Sequence, residues 1–426
     1  MKRLAVFLAL ICILLSGCGK KQDDVVVLNF LFWGIGSEED LIMDNIAEFE
    51  KAHPNIKIQC ENTPWARMLD KLMISTAGGR PPDVARVSSE WFTPLAAKGV
   101  LMPLDDLIER DKFDIDDYYK HIMNGWGRYK GVTYSLPTDC DVSALYYNKT
   151  LFDELGVPYP DENLTYEGYI EMCKKFCADT NGDGKIDRWG GLVGPGSWST
   201  YAHAYGGEFL SEDNTRCVID SKEALQGMQI LVDMLLKHHV VPASEDTMNV
   251  GGEKLFENGK IATYTSGAWA ADIWFSNEIK NFEWDVAPLP KGSAGRPPWL
   301  AGTCYAVLNR SAHKEEAWLF IQWMSGTECQ EKGAKRNLFI PARKSAADAF
   351  LAVTRRPAAK HVFIDPLAQE IPGWSSPKVS CAPEITGMMN SAMEKVFVGA
   401  EPLDKAVKEV IPLIDKSLRN ETESGK

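Results

Sequence analysis

Residues 25–87 read VVVLNFLFWGIGSEEDLIMDNIAEFEKAHPNIKIQCENTPWARMLDKLMISTAGGRPPDVARV, and the fold turns on this stretch. Val25 to Trp33 is rich in β-branched and aromatic residues and ends in glycine punctuation, which predicts a strand and then a loop. From Glu38 to His53, Leu41, Ile42, Ile46 and Phe49 recur at helical spacing, and Pro54 stops the pattern. Ile56-Lys57-Ile58 is a second short strand. Trp65 to Thr76 is a helix with Met68, Leu69, Leu72 and Met73 on one face, and Pro82 to Val87 is a third strand. An alternation of β-α-β-α-β predicts an α/β chain with a parallel sheet and helices on both faces.

Outward from that unit, the chain opens on Lys2 and Arg3 and an apolar run from Leu4 to Leu15. Twelve residues are too few to span a bilayer of ~30 Å, so the run reads as the core of a signal peptide. Leu15-Ser16-Gly17-Cys18 resembles a lipobox, which implies removal of residues 1–17 and acylation of Cys18. Residues 18–25 then form a lipidated tether. No later segment is long and apolar enough to cross a membrane, so the lipid is the expected anchor.

Removing 17 residues from 426 leaves 409, which suits two lobes better than one core. A formal charge of −13 argues against nucleic acid. Seven histidines without an HExxH pattern argue against a catalytic zinc. Eight cysteines remain beyond Cys12 and Cys18, and they permit 105 disulfide pairings or none. The second lobe begins between Tyr134 and Tyr147. Trp284 to Pro288 is expected to return to the first lobe, and Pro341 to Arg343 to cross back. The expected division is 26–137 plus 286–342 for lobe 1, and 138–285 plus 343–426 for lobe 2.

Several stretches carry a family likeness in their order. They include Phe49-Glu50-Lys51 through Pro54-Asn55-Ile56, Ala77-Gly78-Gly79 through Pro82-Asp83-Val84, and Leu145 to Phe152. Gly259 to Ala262 with Ser266-Gly267-Ala268-Trp269, Ala287 to Gly292, and Ala317 to Met324 complete them. Together they resemble the extracellular solute-binding proteins of ABC importers, in the sugar-binding group that includes maltose-binding protein. The resemblance implies the two-lobed periplasmic-binding-protein fold of type II. Each lobe would be a mixed, mostly parallel sheet with helices on both faces, and the ligand would lie in the interlobe cleft. It also implies ABC permease subunits as partners, a monomer, no catalysis and no required cofactor.

Thirteen tryptophans, many in loops, suit a carbohydrate, mono- or oligosaccharide. A pyranose offers an apolar face to indole and hydroxyls to polar side chains. Open α/β sheets bind ligands beyond strand carboxyl ends, which points to the loops at Trp33 and at Glu90-Trp91. The candidate binding residues are Trp33, Glu38, Trp65, Arg67, Glu90, Trp91, Asp139, Asp141, Trp198, Trp269, Trp299, Arg343 and Trp374. Trp269 stands where the family places a stacking aromatic, and Asp141 where it often places a sugar-binding acid. The plain alternative for Trp65, Trp126, Trp284 and Trp318 is packing; for Glu38 and Asp139 it is a helix terminus or solvated surface. Two rivals remain: a secreted carbohydrate-active hydrolase built on paired acids such as Asp139, Asp141 and Glu90, and a same-fold receptor for a non-sugar solute.

One further motif stands apart. Asp179, Asn181, Asp183, the Lys185 carbonyl and Asp187 match the first nine positions of a calcium loop, with Gly184 at position six. Gly190 stands where the bidentate Glu belongs. The loop is expected either to hold a structural calcium or to be a tight turn.

Overall fold

A computed structural model describes residues 25–243, 250–276, 278–369 and 373–424. The signal peptide and Cys18 lie outside the described residues. The chain runs β1 (Val26–Phe32), α1 (Ser37–Ala52), β2 (Ile56–Asn62), α2 (Trp65–Ala77), β3 (Val84–Ser88) and α3 (Ser89–Ala97). It continues through β4 (Leu136–Pro137), β5 (Asp139–Val142) and β6 (Ala144–Asn148). Then come α4 (Trp198–Ala204), α5 (Lys222–Leu236), β7 (Thr263–Ser266), β8 (Trp284–Ala287), β9 (Leu300–Ala301) and β10 (Thr303–Val307). The last elements used below are α6 (Lys314–Met324), α7 (Thr327–Lys335), β11 (Ile340–Pro341), α8 (Ala382–Phe397) and α9 (Leu403–Ser424).

The opening stretch folds as its pattern predicts. In α1 the buried face is Leu41, Ile42, Asn45, Ile46 and Phe49, and three acids occupy the first turn. β1 pairs in parallel with β2 and with β3. The sheet of lobe 1 has the order β2-β1-β3-β10-β4, with β10 antiparallel to both neighbours. Asp83 of the Pro-Asp-Val motif is buried: its carboxylate accepts from Asn29 N at 2.9 Å and Ser311 Oγ at 2.5 Å. It thereby ties β1 to the chain beyond β10.

The lobe 2 sheet differs from the expected mostly parallel arrangement. Its order is β8-β6-β7, and both pairings are antiparallel. Trp284–Ala287 therefore belongs to lobe 2 rather than starting the return to lobe 1. The chain stays there as Lys291 N donates to Leu164 O and Ala294 N to Ala204 O. It crosses at β9, which pairs with β5, and β11 pairs with β5 on its other edge. This three-stranded crossing, β9-β5-β11, joins the lobes. The second boundary also falls later than expected, because Arg343 packs wholly on lobe 1.

Candidate functional site

The carboxyl ends of the three parallel strands each deliver a tryptophan. Trp33 follows β1, Trp65 opens α2 after β2, and Trp91 sits in the first turn of α3 after β3. They converge: Trp33 meets Trp91 edge to face at 5.5 Å, and Trp65 leans on Trp91 at 5.1 Å. Ser88 caps α3 by accepting from Glu90 N, which fixes the turn that carries Glu90 and Trp91.

Across from α3 lies a cleft of about 510 Å³, well within the range of small-molecule sites. Lobe 1 contributes Glu90 and Trp91. The crossing contributes Trp299. Lobe 2 contributes Trp198 and His203 of α4, Trp374, and one face of α8. Trp299 and Trp374 form a parallel bridge with rings 6.3 Å apart. Trp198 is nearly fully buried, and its Nε1 donates to Asn390 Oδ1 at 2.9 Å. The remaining walls are Phe209, Asn390, serines, threonines and small residues, with no Lys or Arg among the lining residues.

Electrostatics in the cleft follow from burial. Glu90 loses water on the way into the wall, which raises its carboxyl. Burial likewise holds the His203 imidazole down at about 4, so it is neutral and stacks on Trp374 at 4.8 Å. Glu208 lies 3.7 Å from its Nδ1 but gains no ion pair from a neutral ring. Trp374 Nε1 is buried with no hydrogen-bond partner among the described residues.

A second group of predicted residues meets beside the crossing. Arg86 of β3 donates to Glu38 at 2.7 Å and to the Trp33 carbonyl at 2.8 Å, and its guanidinium lies 4.5 Å over the Trp33 ring. Asp139 is 3.6 Å from the same guanidinium and accepts from Thr303 N and Thr303 Oγ1. Burial raises the Asp139 carboxyl even against Arg86. Burial, and then Asp139 and Glu38, push Asp141 well above the usual carboxylate range. Asp141 Oδ1 is buried with no partner among the described residues. Glu38 and Asp139 therefore flank Arg86, and Asp141 Oδ1 is the buried carboxylate oxygen of the three without a partner among the described residues.

Other predicted residues stand elsewhere. Arg343 is buried in lobe 1, between the rings of Phe113 and Tyr118, and donates to Asp117 and to the Ser325 carbonyl. Its charge is consumed there, which removes it from the cleft. Trp269 is half-buried with its ring laid against Gly267, and it is not among the lining residues of the large cleft. Arg67 is exposed on α2.

The Asp-rich loop is closed by contacts between its acids and its own amides. Asp179 accepts from Gly182 N and Gly184 N at 2.7 and 2.8 Å, and Asp183 accepts from Lys185 N. Asn181 Oδ1 accepts from Asp183 N, and Asp187 takes the Lys260 ammonium at 2.7 Å. Lys260 supplies a positive charge to Asp187 at the end of the loop. Among the described residues no group of three His, Cys, Asp or Glu side chains could hold a metal ion.

Sequence reasoning missed His203 and the α8 face. The latter had a readable signal. Pro383, Thr386, Gly387 and Asn390 line the cleft at helical spacing, while Ile385, Met389 and Met393 face the core. His203 had none, since its place depends on Trp374 arriving from a distant loop.

The family model described as bacterial extracellular solute-binding protein matches residues 35–331. A galactooligosaccharide-binding protein of Bacillus subtilis is 25% identical over 433 residues, covering 95% of this chain and 96% of its own length. An arabinooligosaccharide-binding protein of Halalkalibacterium halodurans is 25% identical over 329 residues, covering 72% of this chain and 69% of its own length. Among solved structures, an ABC substrate-binding protein of Listeria monocytogenes in complex with cycloalternan superposes with a TM-score of 0.85 at 26% identity, covering 93% of this chain and 99% of that one. A solute-binding protein of Thermotoga lettingae bound with alpha-D-tagatose shares the fold, with a TM-score of 0.80 at 19% identity and coverage of 92% and 100%.

Proposed function

The chain belongs to the bacterial extracellular solute-binding proteins, and from that premise we propose that it captures a neutral carbohydrate and hands it to the permease of an ABC importer. The observation that carries this reading is the interlobe cleft. Trp91, Trp198, Trp299 and Trp374 line it together with hydroxyl and amide groups, and no Lys or Arg is among its lining residues. Indole faces suit the C–H face of a sugar ring, and Ser, Thr and Asn side chains suit its hydroxyls. A phosphate ester or other anion would face the partly desolvated Glu90 without a compensating cation. The oligosaccharide-binding relatives in Bacillus subtilis and Halalkalibacterium halodurans support the same class.

The mechanism is a two-state closure. The wall residues come from both lobes and from the crossing, so a ligand touches all of them only when the lobes are together. It stabilises that state by the difference in its contacts between the open and closed forms. Binding proceeds without chemistry on the sugar; Asp139, a candidate acid for the hydrolase alternative, is committed to Thr303 and Arg86. The lipobox-like start suits tethering at the outer membrane surface, near the permease.

A thermal-shift screen of neutral oligosaccharides, paired with chromatography of the same sugars after incubation, tests the proposal. At a hundredfold excess over Kd a ligand adds about 2.7 kcal/mol of stability, which raises the melting temperature. The expected outcome is stabilisation by at least one neutral oligosaccharide that is recovered intact. Shortened products would make the protein a hydrolase. Stabilisation only by polyamines, phosphate esters or metal chelates would remove carbohydrate from the reading.

A further inference from the structure

Trp65 is 45% exposed, and it is the one tryptophan among the large hydrophobic residues left exposed in the described structure. Trp126, Trp284 and Trp318, the other tryptophans with a plain packing reading, are buried to 2% exposure or less. A packing role therefore accounts for those three but not for Trp65. Its place in the fold is specific. It opens α2 directly beyond the carboxyl end of β2, on the sheet edge that faces the cleft. One side of its ring leans on Trp91 at 5.1 Å with 33° between the planes. Trp91, 7% exposed, is itself a wall of the cleft. Trp91 thus lines the cleft and also touches Trp65. The aromatic surface that begins at Trp299 and Trp374 continues past the cavity to an open indole face.

We infer that Trp65 is an outer stacking subsite, and that the ligand is an oligosaccharide whose chain leaves the cleft past Trp91 and lies on Trp65. This rests on the carbohydrate reading above and sharpens it: the protein favours chains longer than a disaccharide. Arg67 adds nothing here. Two residues on in α2, it does not share a helix face with Trp65.

Titration calorimetry on the full soluble chain tests this. The probes are malto-, manno- and galacto-oligosaccharides, each as a ladder from disaccharide to hexasaccharide, with wild type, Trp65→Ala and Trp65→Phe. In a ladder that binds, wild-type affinity rises beyond the disaccharide. Trp65→Ala loses about three- to tenfold on the long members, the scale of one aromatic stacking contact, and leaves the disaccharide unchanged. Trp65→Phe keeps most of the gain. Melting temperatures equal to wild type show that the variants are folded. An equal loss at every length, or no loss on the long members, overturns the outer subsite while carbohydrate binding stands. Silence of the wild type with every ladder overturns the carbohydrate reading itself, and the outer subsite with it.

Discussion

Arg86 brings one guanidinium to two carboxylates, Glu38 at 2.7 Å and Asp139 at 3.6 Å. In sequence, an acid after the first strand and an acid pair before a β-rich segment read equally well as ligand contacts or as structure. In the structure two carboxylates hold Arg86 against Trp33 and Thr303, and Asp141 Oδ1 is buried without a partner among the described residues. His203 gives a prediction at the same scale. The unfolded ring takes a proton near 6.5, whereas the buried ring resists until about 4. The unfolded state therefore binds more protons inside that window, and folding stability falls as pH drops through it. Glu90, raised by burial, works in the opposite direction, so a variant is needed to isolate the histidine. The melting temperature of wild type should fall relative to His203→Gln between pH 6.5 and pH 4. A gap that stays constant with pH would mean that His203 is not the neutral, buried ring described here.

At the scale of elements, α5 packs against α4 at a glycine. Ser221 caps α5 by accepting from Ala224 N, and Gly227 in its second turn meets the backbone of α4. A Cβ at Gly227 would stand 2.1 Å from the Tyr201 carbonyl oxygen, so the helices would have to separate. Alanine is worth up to about 1 kcal/mol over glycine inside a helix, while overpacking costs roughly 1–3 kcal/mol. Gly227→Ala should therefore lower stability in denaturant unfolding. Gly387 of α8 is the contrast, because a Cβ there meets nothing within 4 Å. Gly387→Ala should be neutral or stabilising. If both substitutions stabilise, the close approach of α4 and α5 is wrong.

For the whole molecule, the crossing is more than a pair of linkers. One hydrophobic core holds Leu31, Trp91 and Trp126 of lobe 1 together with Tyr146, Phe275 and Trp284 of lobe 2. This shared core sits where β9-β5-β11 passes between the lobes, so the closure proposed above would pivot there. The cysteines belong to this scale too. All eight among the described residues are free thiols, five of them buried. Cys140, Cys173 and Cys304 are fully buried, and that burial raises their thiols away from the reactive thiolate. A reductant should leave the melting temperature unchanged, and thiol titration of the unfolded chain from residue 25 onward should find eight. A drop in melting temperature with reductant would reveal a disulfide instead.

How much was legible follows from the range of the interactions involved. The β-α-β-α-β opening and the buried face of α1 are local. Hydrophobic period sets them, so the sequence by itself determined the opening unit of lobe 1 and placed Trp33, Trp65 and Trp91 at strand ends. The family likeness carried the two-lobed fold. Strand direction in lobe 2, the later crossing points and the burial of Arg343 were not legible, because each depends on pairing between segments far apart in the chain. The same holds for the cleft. Trp198, Trp299 and Trp374 are single aromatics in separate loops, and only the tertiary structure brings them to one wall with His203 and Asn390. Tryptophan outside a regular period carries no direction in a sequence; it acquires one when the backbone around it is fixed.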